Sequence, residues 1–200
     1  MTAARQLSLD ALARSSGRAR SGASRPWHAT TPGQRVLFLM INPSIAGAVK
    51  NDPTVRRDIG FAAAWGFDAA PEFGARFSPC GTYRYNLQRV GLEVANIFGL
   101  VSTDPSALYE NADPVGPGND AAIIDAVARC SVVVCAWGNG KRAKPPPLLV
   151  ERARAVVAML RAAGVQPWCF RLTGAGQPEH PLYQPSKREL IRMSMEGVTP

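Results

Sequence analysis

The chain has 200 residues, enough for one domain of ordinary size, and its 46% apolar content can bury a core. No run approaches the ~20 apolar residues of a membrane span, and no apolar stretch of signal-peptide length follows the N-terminal arginines. A cytoplasmic protein without membrane contact is therefore expected. The net charge of +8 is unevenly spread, because residues 1–35 hold six arginines against Asp10 alone.

Residues 1–30, with the run ARSSGRARSGASR, carry too little apolar surface to fold alone and read as a flexible basic arm. Such an arm could add sequence-independent phosphate affinity, or serve only as a solubilising terminus. Residues 31–200 read as a single α/β domain. RVLFLMINPSIAG opens it with six consecutive apolar residues, Val36 to Ile41, which predict a strand over 35–41 buried on both faces. NDPTVRRDIGFAAAWGF then predicts a helix, with Asp52 as cap, Pro53 in the first turn, and Val55, Ile59 and Ala62 at helical spacing. Gly66 ends it.

Residues 67–90 alternate around Tyr83-Arg84-Tyr85 and read as an insertion, a hairpin or a strand-swapped arm. LEVANIFGL is a second core strand, followed by turn-rich Asp-Pro segments and a helix over about 118–129. SVVVCAWGNG is a third buried strand ending in a glycine loop. Pro145-Pro146-Pro147 leads into a helix over about 148–163, and QPWCFRLTGAG makes the fourth strand. The expected fold is α/β, a three-layer α/β/α arrangement with a four-stranded, mainly parallel central sheet. Cys80, Cys130, Cys135 and Cys169 lack paired metal-site spacing and read as reduced thiols.

Right-handed crossovers place the strand ends on one rim, where open α/β sheets bind ligands. That rim collects Asn42-Pro43-Ser44, Asn96, Trp137-Gly138-Asn139 and Thr173-Gly174-Ala175-Gly176, with His180 just beyond. Asn and Gly also close strands in ordinary turns. Four such ends and His180 together on one rim favour a site. WGNGKRAK lacks the spacing of a phosphate-binding P-loop, and TGAGQPEH lacks the third glycine of a dinucleotide fingerprint. There is no nucleophile elbow, and one nearby His among turn-type aspartates makes no metal site. No metal and no cofactor are expected.

The blocks MINPS, NDPTVRRDIGFAAAWGF, EVANIFGLVSTDPSAL, DPVGPGNDAAI, VVVCAWG and LTGAGQPEHPLYQPS resemble a bacterial and phage family known only as a domain of unknown function, DUF1643. The resemblance covers roughly residues 35–187. It has one departure: the family's C-G-x-Y-R-Y-x-L-x-R segment normally precedes the first strand, whereas Cys80 to Arg89 lies after the first helix. More distantly, the chain is similar to the uracil-DNA glycosylase superfamily. Ile41-Asn42-Pro43-Ser44 resembles the Ile-Asn-Pro-Gly of its mismatch-specific members. Asn96 stands where that superfamily reads the base edge, Trp137-Gly138 resembles its third-strand ending, and His180-Pro181 resembles the start of its last motif. Leu182-Tyr183 departs from the Ser-Pro that follows there.

That resemblance implies a uracil-DNA-glycosylase-like fold and N-glycosidic hydrolysis. Asn42 and His180 would be the catalytic residues, the amide orienting water and the imidazole donating to a carbonyl oxygen of the departing base. Pro43, Ser44, Asn96, Phe98, Trp137, Gly138 and Tyr183 would hold the base, and Asn96 has both the donor and the acceptor to pair with its edge. Lys141, Arg142, Lys144, Lys187 and Arg188 could hold phosphates, or form a solvated face. The expected partner is nucleic acid or a nucleotide, with a single strand or small nucleoside favoured because no duplex wedge is evident. A non-catalytic nucleic-acid or nucleotide-binding module of the same fold is the alternative. A protein that binds partners through its basic arm is a third reading.

Overall fold

The computed structural model describes residues 25–43, 53–68, 75–77, 83–85, 91–102 and 104–194. Most of the basic arm, Ser44, the Asp52 cap and Cys80 lie outside them. The strands are β1 (Val36–Met40), β2 (Ala75–Phe77), β3 (Tyr83–Tyr85), β4 (Leu92–Asn96), β5 (Val132–Cys135), β6 (Trp168–Cys169) and β7 (Ile191–Arg192). The helices are α1 (Pro53–Ala64), α2 (Asn119–Arg129) and α3 (Pro147–Ala162).

Among the described residues the strands form one sheet in the order β2-β3-β4-β1-β5-β6-β7. Strands β4, β1, β5 and β6 run parallel, the four-stranded centre that the sequence predicts. Antiparallel strands extend it at both edges: the β2–β3 hairpin on β4, and β7 on β6. The 67–90 segment therefore contributes the edge beside β4.

The alternation of β1 sends its side chains to two apolar clusters. Leu37 and Leu39 pack with Ile123 and Val127 of α2 and with Leu149 and Val156 of α3. Val36, Phe38 and Met40 pack on the other face with Phe61 of α1, Trp65 and Phe170. Phe61, Trp65 and Phe170 lie within 4.6–6.0 Å of one another, centroid to centroid, an aromatic wedge that seats α1 on the sheet. Pro53 starts α1 at a position where a missing N–H costs nothing. Gly66, at φ +83°, reverses the chain, and the N–H groups of Gly66 and Phe67 close on the carbonyls of Ala63 and Ala62.

Two expectations change. The fourth strand is shorter than read, because the chain after β6 folds back at once, with Thr173 N–H donating to the Gln177 carbonyl at 2.7 Å. The arm is also packed from Arg25 onward: Trp27 is buried edge-to-face on Trp168 at 5.1 Å, and Ala29 N–H donates to Trp65 O. A large indole gains too much by burial to stay in solvent. No helix among the described residues is long and apolar enough to cross a membrane.

At the rim opposite the strand C-termini, Glu93 is 3% exposed and accepts from Arg35 at 2.9 Å and from Arg129 at 3.1 and 2.8 Å. Two guanidiniums offset the cost of dehydrating one carboxylate. Glu93→Ala should lower the unfolding free energy by about 2 kcal/mol, less than for a fully buried pair because both arginines reach water. Urea denaturation of wild type and variant checks this, and an unchanged midpoint contradicts it.

Candidate functional site

The ends of the parallel strands enclose a cleft of about 580 Å³. Ile41 and Asn42 enter it from β1, Trp137 to Arg142 from the loop after β5, and Arg171 and Thr173 from beyond β6. Pro53 and Thr54 of α1, Ser102, and the turn from Glu179 to Gln184 complete the wall.

Asn42 is fixed by its nitrogen. Nδ2 donates to the Ser102 carbonyl at 2.7 Å and more weakly to the Pro43 carbonyl at 3.3 Å, while Ser102 N–H donates back to Pro43 O at 2.9 Å. With both donors aimed at protein carbonyls, the end of the amide left to face a ligand is the acceptor, Oδ1. The proline thus serves a strand ending whose backbone oxygen is doubly engaged.

His180 has the opposite polarity. It caps a short 3-10 turn (Pro181–Tyr183), and the Leu182 N–H donates to its Nδ1 at 3.3 Å. A neutral ring with Nδ1 accepting carries its proton on Nε2, which makes that atom a donor. Gly138 packs against the Cβ and backbone of His180. A Cβ added at Gly138 would lie 3.4 Å from His180 Cβ, and the residue sits at φ +67°.

Trp137 lines the cleft and is only 1% exposed. Its Nε1–H donates to Oε1 of the buried Gln177 at 2.9 Å. The Thr173 hydroxyl donates to Asn139 Oδ1 at 3.0 Å, and Asn139 Nδ2 to the Ala143 carbonyl at 3.1 Å, so the glycine loop is tied to the turn after β6. Among the described residues no group of His, Cys, Asp and Glu side chains is arranged to hold a metal ion.

A family model described as "Protein of unknown function (DUF1643)" matches residues 23–90 and 79–182. The chain belongs to this family. The two matches overlap over residues 79–90. No curated protein and no solved structure matches the chain significantly.

In this DUF1643 protein the cleft brings together Asn42, Trp137, Gly138, Lys141, Arg142, His180 and Tyr183 of the residues expected from sequence. Asn96 and Phe98 do not line it. Asn96 is 2% exposed, and its register partner Met40 belongs to the cluster on the α1 face; Phe98 is wholly buried in the other cluster. Pro43 is buried behind Asn42, Lys144 and Lys187 are exposed away from the lining, and Arg188 lies half-buried, near enough to Glu179 for its charge to be felt there.

Sequence reasoning missed a brace beneath His180. Glu179 Oε1 accepts from Arg171 Nε and NH2 at 3.0 and 2.7 Å, and its Oε2 from Gln184 Nε2 at 2.8 Å. The Arg57 guanidinium of α1 donates to the Gln184 carbonyl. The only sequence signal was the Arg-x7-Glu spacing across a turn, which no periodicity reveals. Partial burial pushes the Glu179 carboxyl up, but the hydrogen bonds from Arg171 and Gln184 outweigh it and hold the pKa below the usual glutamate range. A depressed native pKa means stability present at neutral pH and lost as pH falls through the native value. The stability difference between wild type and Glu179→Gln should therefore shrink on acidification below the ordinary glutamate range. Paired thermal melts check this, and a difference independent of pH contradicts it.

Proposed function

We propose that this DUF1643 protein is an N-glycosidic hydrolase that releases a keto nucleobase. The observation that carries the reading is the pairing of opposite polarities across one cleft, an acceptor at Asn42 Oδ1 and a donor at His180 Nε2. Breaking the bond from C1′ to the base leaves positive charge on the sugar and negative charge on the base. A donor at Nε2 favours that anion when it forms at a carbonyl oxygen, most strongly where little water competes. Asn42 Oδ1 would hold the water whose oxygen bonds to C1′, and the proton that water sheds balances the one the base takes up. An amide cannot serve as a general base, so turnover would be slow. Helices on both faces of four parallel strands, with the amide-proline, Trp-Gly and His-Pro ends, support a likeness to the uracil-DNA glycosylase superfamily.

A second reading, a nucleotide-binding module without chemistry, draws on Glu179. It is the one carboxylate that the described cleft lining contains, and Arg171 and Gln184 engage both of its oxygens. Paired substrates separate the polarity argument from mere binding. Uracil and hypoxanthine in single-stranded oligonucleotides should be released, and adenine should not, because it carries an amino group where hypoxanthine has a carbonyl oxygen and so offers Nε2–H no developing oxyanion. Equal release of hypoxanthine and adenine would sink the assignment.

A further inference from the structure

The loop after β5 has a geometry that the proposed chemistry at Asn42 and His180 does not use. Gly138, Gly140 and Lys141 all have positive φ, at 67°, 66° and 61°, and Lys141 is the one non-glycine residue among those described that does. A left-handed lysine is strained, and such strain persists only where the surroundings hold it. Gly140 shows one restraint. A Cβ there would come within 2.7 Å of the Tyr109 hydroxyl, so the loop lies directly on that side chain.

Tyr109 also fixes the next cation. The Arg142 guanidinium carbon stands 5.2 Å from the Tyr109 ring centroid, within cation–π range. Gly138 and Gly140 line the cleft and, lacking side chains, do so with backbone. Lys141 and Arg142 line it as well. Asn139 is engaged within the fold at both ends of its amide. The loop thus offers the cleft main chain and two cations, beginning at the glycine that abuts His180.

Among the described residues an anion also stands beside this loop. The Asp104 carboxylate accepts from the N–H and hydroxyl of Ser106, and it feels the charges of Lys141 and Arg142. Arg171 is already paired with Glu179, so that pair adds little net charge on the other side. Among the described residues, Lys141, Arg142, Arg171, Glu179 and Asp104 together carry a positive excess.

We propose that the Gly138–Arg142 loop is a phosphate-binding site, and that the ligand of the cleft is a phosphorylated nucleoside, not a free one. The nucleotide identity rests on the proposed function; the phosphate site does not. Lys141 and Arg142 would contact the phosphate oxygens, and Asp104 would act as the counter-charge that phosphate displaces. A mononucleotide monoester and the diester of a single strand share this chemistry.

The test is equilibrium binding by calorimetry to the full chain. The probes are uridine and inosine, their 5′-monophosphates, a short single-stranded oligonucleotide, and inorganic phosphate alone. The monophosphates should bind at least about tenfold more tightly than the nucleosides, since a charge-assisted contact is worth that much. Lys141→Gly keeps the left-handed backbone while removing the ammonium, so its melting temperature should hold or rise as the phosphate preference falls. Arg142→Ala should reduce the preference further, and Asp104→Asn should widen it. A strand that binds more tightly than the monophosphate would assign the site to a diester; the reverse order would assign it to a monoester. Equal binding of nucleoside and monophosphate would overturn the proposal, as would a preference untouched by Lys141→Gly and Arg142→Ala. A phosphate preference without base release would support this site while refuting hydrolysis. Release from free nucleosides as efficient as from nucleotides would do the opposite.

Discussion

Replacing His180 with alanine is expected to lower the rate of base release by about 100-fold or more while the protein stays folded, since one preorganised donor at a developing anion is worth that much. Asn42→Ala should fall comparably, but for a different reason. His180 caps its own turn, its ring Nδ1 accepting from Leu182 N–H, and its carbonyl accepts from Gln184, which Arg57 braces, so its truncation removes the cap as well as the donor. Asn42 is held by Ser102 and Pro43, and its truncation also leaves the Ser102 carbonyl without that partner. Both variants should therefore show a modest loss of stability, each leaving one backbone group without its side-chain partner. Rates of free-base formation beside urea midpoints check both statements. A His180→Ala protein that releases base at the wild-type rate would remove the imidazole from the mechanism.

The second large effect is structural. Gly140→Ala places a Cβ at φ +66°, against the Tyr109 hydroxyl at 2.7 Å and close to Ile41 and Leu149 at 3.5 and 3.6 Å. Left-handed strain costs roughly 1–2 kcal/mol and overpacking roughly 1–3. The variant should lose about 3 kcal/mol of unfolding free energy. The Tyr109 hydroxyl is buried and has no hydrogen-bond partner among the described residues, and burial raises its pKa. Tyr109→Phe alone should accordingly be neutral or slightly stabilising. Combined with Gly140→Ala it should recover the contact part of the loss and leave the backbone part. Two losses that simply add would show that the loop does not rest on this hydroxyl.

These two sites also show what a sequence can reveal. Six uninterrupted apolar residues ending in Asn-Pro allowed β1 and its exposed amide to be read directly, because a doubly buried strand leaves no other pattern. The Pro53 start and Gly66 stop of α1 were equally legible, since each rests on local backbone chemistry. Trp137-Gly138 and His180 followed from topology, once parallel strands had to end on one rim. Asn96 did not, because strand ends alternate in direction. Pairing opposite Met40 turns its side chain toward the α1 face, and a register shift of one residue would have turned it the other way.

Tyr109, Arg171 and Gln184 were illegible for a different reason. Tyr109 arrives through a 3-10 turn, Pro105–Tyr109, capped by Asp104. Arg171 meets Glu179 because Thr173 and Gln177 close a turn between them, and Gln184 meets it because the Pro181–Tyr183 turn folds the chain back. Such contacts depend on irregular segments, where spacing carries no period to read. The alternation around Tyr83-Arg84-Tyr85 was legible as strand, and β2 and β3 extend the sheet edge at β4.

The most direct test of the central claim is to look for free base. Wild-type protein would be incubated with single-stranded oligonucleotides and mononucleotides carrying uracil, hypoxanthine, thymine or alkylated bases, and the products separated by chromatography. The account predicts slow accumulation of a free keto base, together with the matching abasic product. A ligand that binds in the cleft and is recovered intact from every incubation would contradict hydrolysis and leave the site as a binding pocket.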